Sequence, residues 1–352
     1  MPASAPEREA AVRAAFAVQS GWCDKSGAPF TGLLCRLTGE RLDRSSLLGN
    51  RVLGWPEGAD PIRDALPLRI CGGLHALVRS GGAPALAALY PPQPVPDPER
   101  LWEVLRPVLA DPSLLPWIDG PPQTNEVGRS ALLMAGLLTL AARFRQPIGL
   151  LELGASAGLN LLPDFYAYDL GGRSVGDRDS PVRLQPRWEG PPPPEAIVTI
   201  AGRRGVDLNP LDPRRDSERL LAYVWADQQD RIARLEAALA IAAVDPPRVD
   251  RGDAADWLDA RLTEPAPSGI TRVVFHTVAF DYFPPATQAR IARRLEETGA
   301  GATEEAPLAW LRYEAGPDTF ELRLRIWPGG EDRLLADGHP HGSIVRWLID
   351  QP

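Results

Sequence analysis

Apolar positions in the first part of the chain recur every three or four residues. Leu101, Val104, Leu105 and Val108 have the spacing that puts them on one buried helix face. Similar apolar segments begin at Ala10, Val12, Phe16 and Val18, run from Phe30 to Leu42, and return from Ile62 to Val78. Proline and glycine clusters at Gly49–Pro61, Gly81–Pro84 and Pro91–Pro98 punctuate them. Residues from Glu7 to Arg145 therefore read as helical. Thr124 is placed to cap the last of these helices, expected over Ser130–Phe144, with Asn125, Glu126 and Arg129 crowding polar groups into its first turn.

The period changes at Ile148. Gly149–Leu153 reads as a buried strand, and Phe165–Leu170 and Val182–Trp188 as short strands in an insertion at about 164–195, which closes with Pro191–Pro194. Strands are then expected over Ile197–Leu208, Arg248–Val249, Thr271–Val278, Leu308–Glu314, Phe320–Trp327 and Ile344–Leu348. Helices are expected over Ser217–Ala243, through Trp257 and Leu262, and over Pro284–Thr298. Alternating strands and helices imply an α/β fold, with a mostly parallel sheet covered on both faces. The last two strands, with a turn-rich segment between them, would pair antiparallel at one edge. The chain thus divides into an all-helical N-terminal domain, 1–120, and an α/β domain, 121–352.

Composition narrows the class. The chain has 352 residues, 44% hydrophobic and 24% charged, as an ordinary globular protein does. Its net charge of −8 gives no electrostatic footprint for nucleic acid. The 38 prolines predict rigid loops, because strong apolar periodicity persists between them. Cys23, Cys35 and Cys71 are widely spaced and match neither a disulfide framework nor a metal motif; free thiols in a reducing cytoplasm are expected. The polar N-terminus is unlike a signal peptide, and no apolar run approaches the length of a membrane span. A cytoplasmic protein with no membrane partner is the expectation.

In such sheets ligands sit beyond the carboxyl ends of the strands. That places Glu152–Gly158, Asp207–Asn209, Asp253 and His276–Asp281 on one rim. Gly154 and Gly158, with Ala155, Ser156 and Ala157 between them, form a small-residue loop leading through Asn160 toward a possible helix start. The spacing lacks the three-glycine dinucleotide fingerprint and the phosphate-loop lysine. Glu152 and the loop fit an amino-acid-bearing nucleoside better than a dinucleotide. Asp207 ends the longer strand, where a carboxylate can take both hydroxyls of a ribose. With Asn209 and Pro210 it also fits a plain helix-entry turn. Asp169 competes for the ribose at a spacing nearer the usual one. Asp253 suits an adenine amino group. Asn125, Glu126 and Arg129 suit either binding or simple capping.

His276 closes the strand expected to face a substrate, and is the first candidate for a proton acceptor, with Asp281 and Tyr282 just beyond. A histidine packed at a strand end is the competing structural reading. His339 and His341 read as a loop that lacks a third metal ligand, and His75 as a core histidine; no metal site is expected. Gly154–Gly158 also matches the Gly-x-Ser-x-Gly nucleophile elbow, which makes a serine hydrolase using Ser156 the main alternative. The acid expected there is Asp253 or Asp281, with His339 or His341 as its histidine. A nucleoside-binding protein that does not catalyse is the other.

Glu152–Asn160, Gly205-Val-Asp-Leu-Asn-Pro-Leu-Asp, Arg251-Gly-Asp-Ala and Val273-Val-Phe-His-Thr-Val resemble a bacterial family labelled domain of unknown function 2332. The resemblance extends to Gln123-Thr-Asn-Glu-Val-Gly-Arg and His339-Pro-His-Gly. More distantly, the ordered rim is similar to class I S-adenosylmethionine-dependent methyltransferases. That resemblance implies a Rossmann-like fold. It also implies S-adenosylmethionine held by Glu152, Gly154, Gly158, Asp207 and Asp253, and a small-molecule methyl acceptor; Ser156, Asn160, Asn209, Asn125 and Arg129 are the further candidates for cofactor contact. Ser156 departs from the family's loop, which has glycine there, and the interval before Asp207 is long.

Overall fold

The computed structural model describes residues 4–56 and 60–349. The chain forms two compact units, Met1–Thr124 with Asp216–Ala233, and Asn125–Arg215 with Arg234–Pro352.

The first unit is helical. Its longest helix, Ala5–Lys25, opens with a reciprocal cap: Ser4 Oγ accepts from the Glu7 N–H while the Glu7 carboxylate accepts from the Ser4 N–H. Phe16, Phe30, Leu34, Leu37, Ile70 and Leu74 from this helix, Pro29–Arg41 and Leu66–Arg79 fill the core. The single helix expected over Ser217–Ala243 is instead two, Ser217–Ala222 and Gln229–Val244. The break has a physical cause. Asp227 turns its carboxylate onto the start of Pro29–Arg41, accepting from Phe30 N (2.8 Å), Thr31 N (2.9 Å) and Thr31 Oγ1 (2.6 Å). Ala28, at the cap position of that helix, supplies no side-chain bond, so a residue far away in sequence satisfies its free N–H groups.

The described residues of the second unit form twelve strands: β1 (Ile148–Leu153), β2 (Ala167–Leu170), β3 (Arg173–Gly176), β4 (Arg183–Leu184), β5 (Arg187–Glu189), β6 (Ile200–Asp207), β7 (Val249–Arg251), β8 (Thr271–Thr277), β9 (Leu308–Ala315), β10 (Phe320–Trp327), β11 (Glu331–Gly338) and β12 (Ile344–Trp347). Nine form one sheet in the order β5-β12-β11-β10-β9-β8-β1-β6-β7. From β7 to β9 all neighbours are parallel; β10, β11 and β12 continue antiparallel, and β5 closes the edge parallel to β12. Taken in chain order, the five parallel strands lie third, second, first, fourth, fifth, so the direction of winding reverses between β1 and β8.

Helices cover both faces. Ser130–Phe144 lies on one, where Gly136 leaves room for Leu311. Ala254–Thr263 and Pro285–Gly299 cover the other, packing Leu258, Leu262, Ile291 and Leu295 on Leu153, Val206, Val274, Leu308 and Trp310. The stretch Val127–Phe144 is long and apolar enough to span a bilayer, and its burial is that of a core helix. Two expectations change. The last two strands do not pair with each other, because β11 lies between β10 and β12. Its first half, Glu331-Asp332-Arg333, is charged and exposed, so no apolar alternation announces it. The insertion folds as a small sheet, β3-β2-β4, before returning through β5 to the far edge.

Candidate functional site

Because β1, β6, β7 and β8 are parallel, their carboxyl ends share one edge, and Glu152, Asp207, Asp253 and His276 are brought to it. Glu152 lies across from Gly205 on one side and Phe275 on the other. The loop after β1 turns through left-handed backbone at Gly154 (φ 72°), Ser156 (φ 53°) and Gly158 (φ 74°). Space demands the glycines as much as φ does. A Cβ on Gly154 would lie 2.7 Å from Ala279 Cβ, and one on Gly158 2.8 Å from Pro247 Cγ. The room made by the missing side chains is filled by protein, so the glycines alone do not mark a ligand's path.

The loop is held from several sides. Gly154 N and Ala155 N donate to the Val206 carbonyl (2.9 and 3.0 Å), and Leu211 N to the Ser156 carbonyl (3.1 Å). Asp207 accepts from Ser156 N through Oδ2 (2.9 Å) and from Asn209 N through Oδ1 (2.8 Å). Asn125 Oδ1 accepts from Leu159 N (2.9 Å), and Ser130 Oγ donates to Asn160 Oδ1 (2.7 Å). The helix expected after the loop is one turn of 3-10 helix, Leu159–Leu161, too short to supply a helix dipole.

Two oxygens stand apart from this network. Glu152 is 1% exposed and Ser156 4%, and neither Glu152 Oε2 nor Ser156 Oγ has a hydrogen-bond partner. Leaving such an atom buried and unpaired costs about 1–3 kcal/mol. Burial, and then the nearby Asp207 charge, push the Glu152 carboxyl well above its ordinary value, against the opposing pull of Arg129 and a hydrogen bond with Asn160. This environment favours the protonated form of Glu152, which can both donate and accept.

Arg129 ties the rim together, donating to the Thr277 carbonyl at the end of β8 (3.0 Å) and to the Pro340 carbonyl (2.8 Å). Gly128 packs so closely on this second loop that a Cβ would lie 2.3 Å from the His341 carbonyl oxygen. His339 accepts from Tyr313 OH through its carbonyl (2.6 Å), and the His339 and His341 rings meet edge-on at 5.1 Å. Among the described residues no group of three or more His, Cys, Asp or Glu is placed to hold a metal ion. Asp253 caps Ala254–Thr263, accepting from Ala255 N (2.9 Å) and Asp256 N (3.1 Å) through Oδ1. Asp169 lies in the small sheet, where it closes the β2–β3 turn by accepting from Gly172 N (2.8 Å).

His276 departs from its expected role. Its ring is 0% exposed and stacked on Phe280. The Trp310 indole can only donate, so Nε2 accepts from it (3.0 Å), which leaves the proton on Nδ1 to be donated to Glu314 Oε1 (2.6 Å). Glu314 also accepts from Ala279 N and Phe280 N. With both nitrogens engaged, the imidazole has none to offer a substrate; it fixes the chain as it leaves β8. Asp281 and Tyr282 follow on an exposed turn, Tyr282 being 81% exposed. Residue-by-residue reading missed Ser130, Trp310 and Glu314. Glu314 had a signal: it is one more acid at the end of a parallel strand.

The family model described as "Uncharacterized protein conserved in bacteria (DUF2332)" matches residues 13–347. The chain belongs to this family. No curated protein and no solved structure matches it significantly. The family match spans both units, so the helical residues from 13 onward belong to it as much as the sheet does.

Proposed function

We propose that the second unit is a Rossmann-like, class I methyltransferase-like domain that binds S-adenosylmethionine beyond β1 and β6 and transfers its methyl group to a small-molecule acceptor. The observation that carries this reading is the pair of buried, unpartnered oxygens, Glu152 Oε2 and Ser156 Oγ, at the point where strand order reverses. A protonated Glu152 fits the amino-acid end of such a ligand, since it can donate to a carboxylate or accept from an ammonium group. Asp207 fits the ribose by its place at the end of β6, the strand beside β1. Both its oxygens already orient backbone N–H groups, so hydroxyls would use the remaining lone pairs. Asp253 commits Oδ1 to its cap and has Oδ2 for a nucleobase amino group. When bound, the cofactor supplies an electrophilic methyl on a sulfonium centre. With His276 committed, the carboxylate left to take a proton from an acceptor is Asp281.

Calorimetry with S-adenosylmethionine and S-adenosylhomocysteine tests the reading. Binding of both is expected, weakened at least about tenfold in Asp207→Ala, a loss of ~1.4 kcal/mol. Absence of heat with either compound, from protein of native fold, sinks it. The hydrolase alternative keeps one favourable feature, the left-handed φ of Ser156. It lacks the helix after the elbow and any histidine bonded to Ser156 Oγ.

A further inference from the structure

All three cysteines, far apart in sequence, meet in the core of the helical unit. Cys35 Sγ lies 3.6 Å from Cys71 Sγ, and Cys35 also hydrogen-bonds Cys23. Cys23 and Cys35 are buried, while Cys71 is half-buried. Cys71 lines a cavity of about 10 Å³, room for one water-sized molecule, together with His75 and Tyr90. The Tyr90 hydroxyl is buried without a partner, so a small polar molecule there gains a hydrogen bond.

We propose that Cys71 is a peroxide-reactive thiol and that Cys35 resolves it, giving an intramolecular Cys35–Cys71 disulfide. In the first step the Cys71 sulfur attacks a hydroperoxide, its O–O bond breaks, and Cys71 becomes a sulfenic acid as water or an alcohol leaves. In the second, the Cys35 sulfur attacks the Cys71 sulfur, the S–O bond breaks, and the hydroxyl takes the Cys35 proton and leaves as water. The two thiols are oxidised by two electrons and the peroxide is reduced by two. Hydrogen bonds to Cys23 and Cys71, and then burial, push the Cys35 thiol well above its ordinary value, so its proton is still in place to pass to the departing hydroxyl.

The test uses the whole chain, fully reduced and then treated with hydrogen peroxide under native conditions. Thiol titration is expected to fall from three free thiols to one, the intact mass to lose two hydrogens, and non-reducing peptide mapping to find Cys35 joined to Cys71. Cys35→Ser should stop at a Cys71 sulfenic acid that dimedone traps, and Cys71→Ser should lose peroxide reactivity. The wild-type mapping decides even if a variant does not fold. Three thiols left intact, oxidation that ends on Cys71 in the wild type, or a disulfide between two chains overturns the proposal.

Discussion

Two strand ends on the same rim, those of β1 and β8, carry buried polar side chains with opposite fates. At the end of β8, His276, Glu314 and Trp310 satisfy one another, and the surplus capacity of Glu314 is taken by backbone N–H groups. At the end of β1, Glu152 and Ser156 are as deeply buried, yet each keeps an oxygen unpaired. A closed network stabilises the fold and has nothing left for a ligand. An open one costs free energy that a bound molecule can return. Residue type made His276 the natural candidate for chemistry; hydrogen-bond satisfaction moves the expectation to Glu152 and Ser156.

The largest effect expected from breaking this contrast is at the closed end. His276→Ala leaves the Trp310 indole without its acceptor and takes the Nδ1 donor away from Glu314, and should cost ~3 kcal/mol of stability. Urea denaturation monitored by tryptophan fluorescence checks it. A variant that folds as stably as the wild type but loses turnover would return His276 to the chemistry.

Glu152→Gln probes the open end through pH. The folded carboxyl titrates well above 4.5, its ordinary value, so the folded state binds the proton more tightly than the unfolded one. Its contribution to stability is fully present below pH 4.5 and is lost as pH rises through the folded value. The slope is ~1.4 kcal/mol per pH unit. Glutamine mimics the protonated form, so the variant should lose this slope and become the more stable protein toward high pH. Stability curves that stay parallel across that range would show that Glu152 is not held protonated.

Asp227→Ala extends the contrast to another closed acid, in the helical unit. Phe30 N and Thr31 N lose the carboxylate that caps the start of Pro29–Arg41, at a cost of ~1–2 kcal/mol. Denaturation midpoints measure it, and S-adenosylmethionine affinity should not change.

Much of this was legible in sequence where burial imposes a pattern. β8 and β10, apolar or alternating, were bounded almost to the residue, and the acids at successive strand ends located the rim. The remainder depends on partners that no local pattern encodes. Charged Glu331-Asp332-Arg333 hides β11, because an exposed half-strand has no apolar period. The break at Tyr223–Gln228 depends on Phe30 and Thr31, far away in the chain. Nor can a one-dimensional pattern show that Glu314 and Trp310 close around His276, or that nothing closes around Ser156 Oγ.

The smallest effect separates capping from binding at Asp253, where one side chain is given both roles. Oδ1 takes both cap bonds, and a serine hydroxyl can take the same N–H groups. Asp253→Ser should therefore keep stability within ~0.5 kcal/mol, whereas Asp253→Ala should lose ~1 kcal/mol. Affinity for S-adenosylmethionine should follow the carboxylate and not the cap, falling about tenfold in both variants, ~1.4 kcal/mol. Calorimetry and thermal melts on the same two variants read the roles independently. If Asp253→Ser binds like the wild type while Asp253→Ala melts early, Asp253 belongs with the closed, structural acids, and the open part of the rim contracts to Glu152, Ser156 and Asp207.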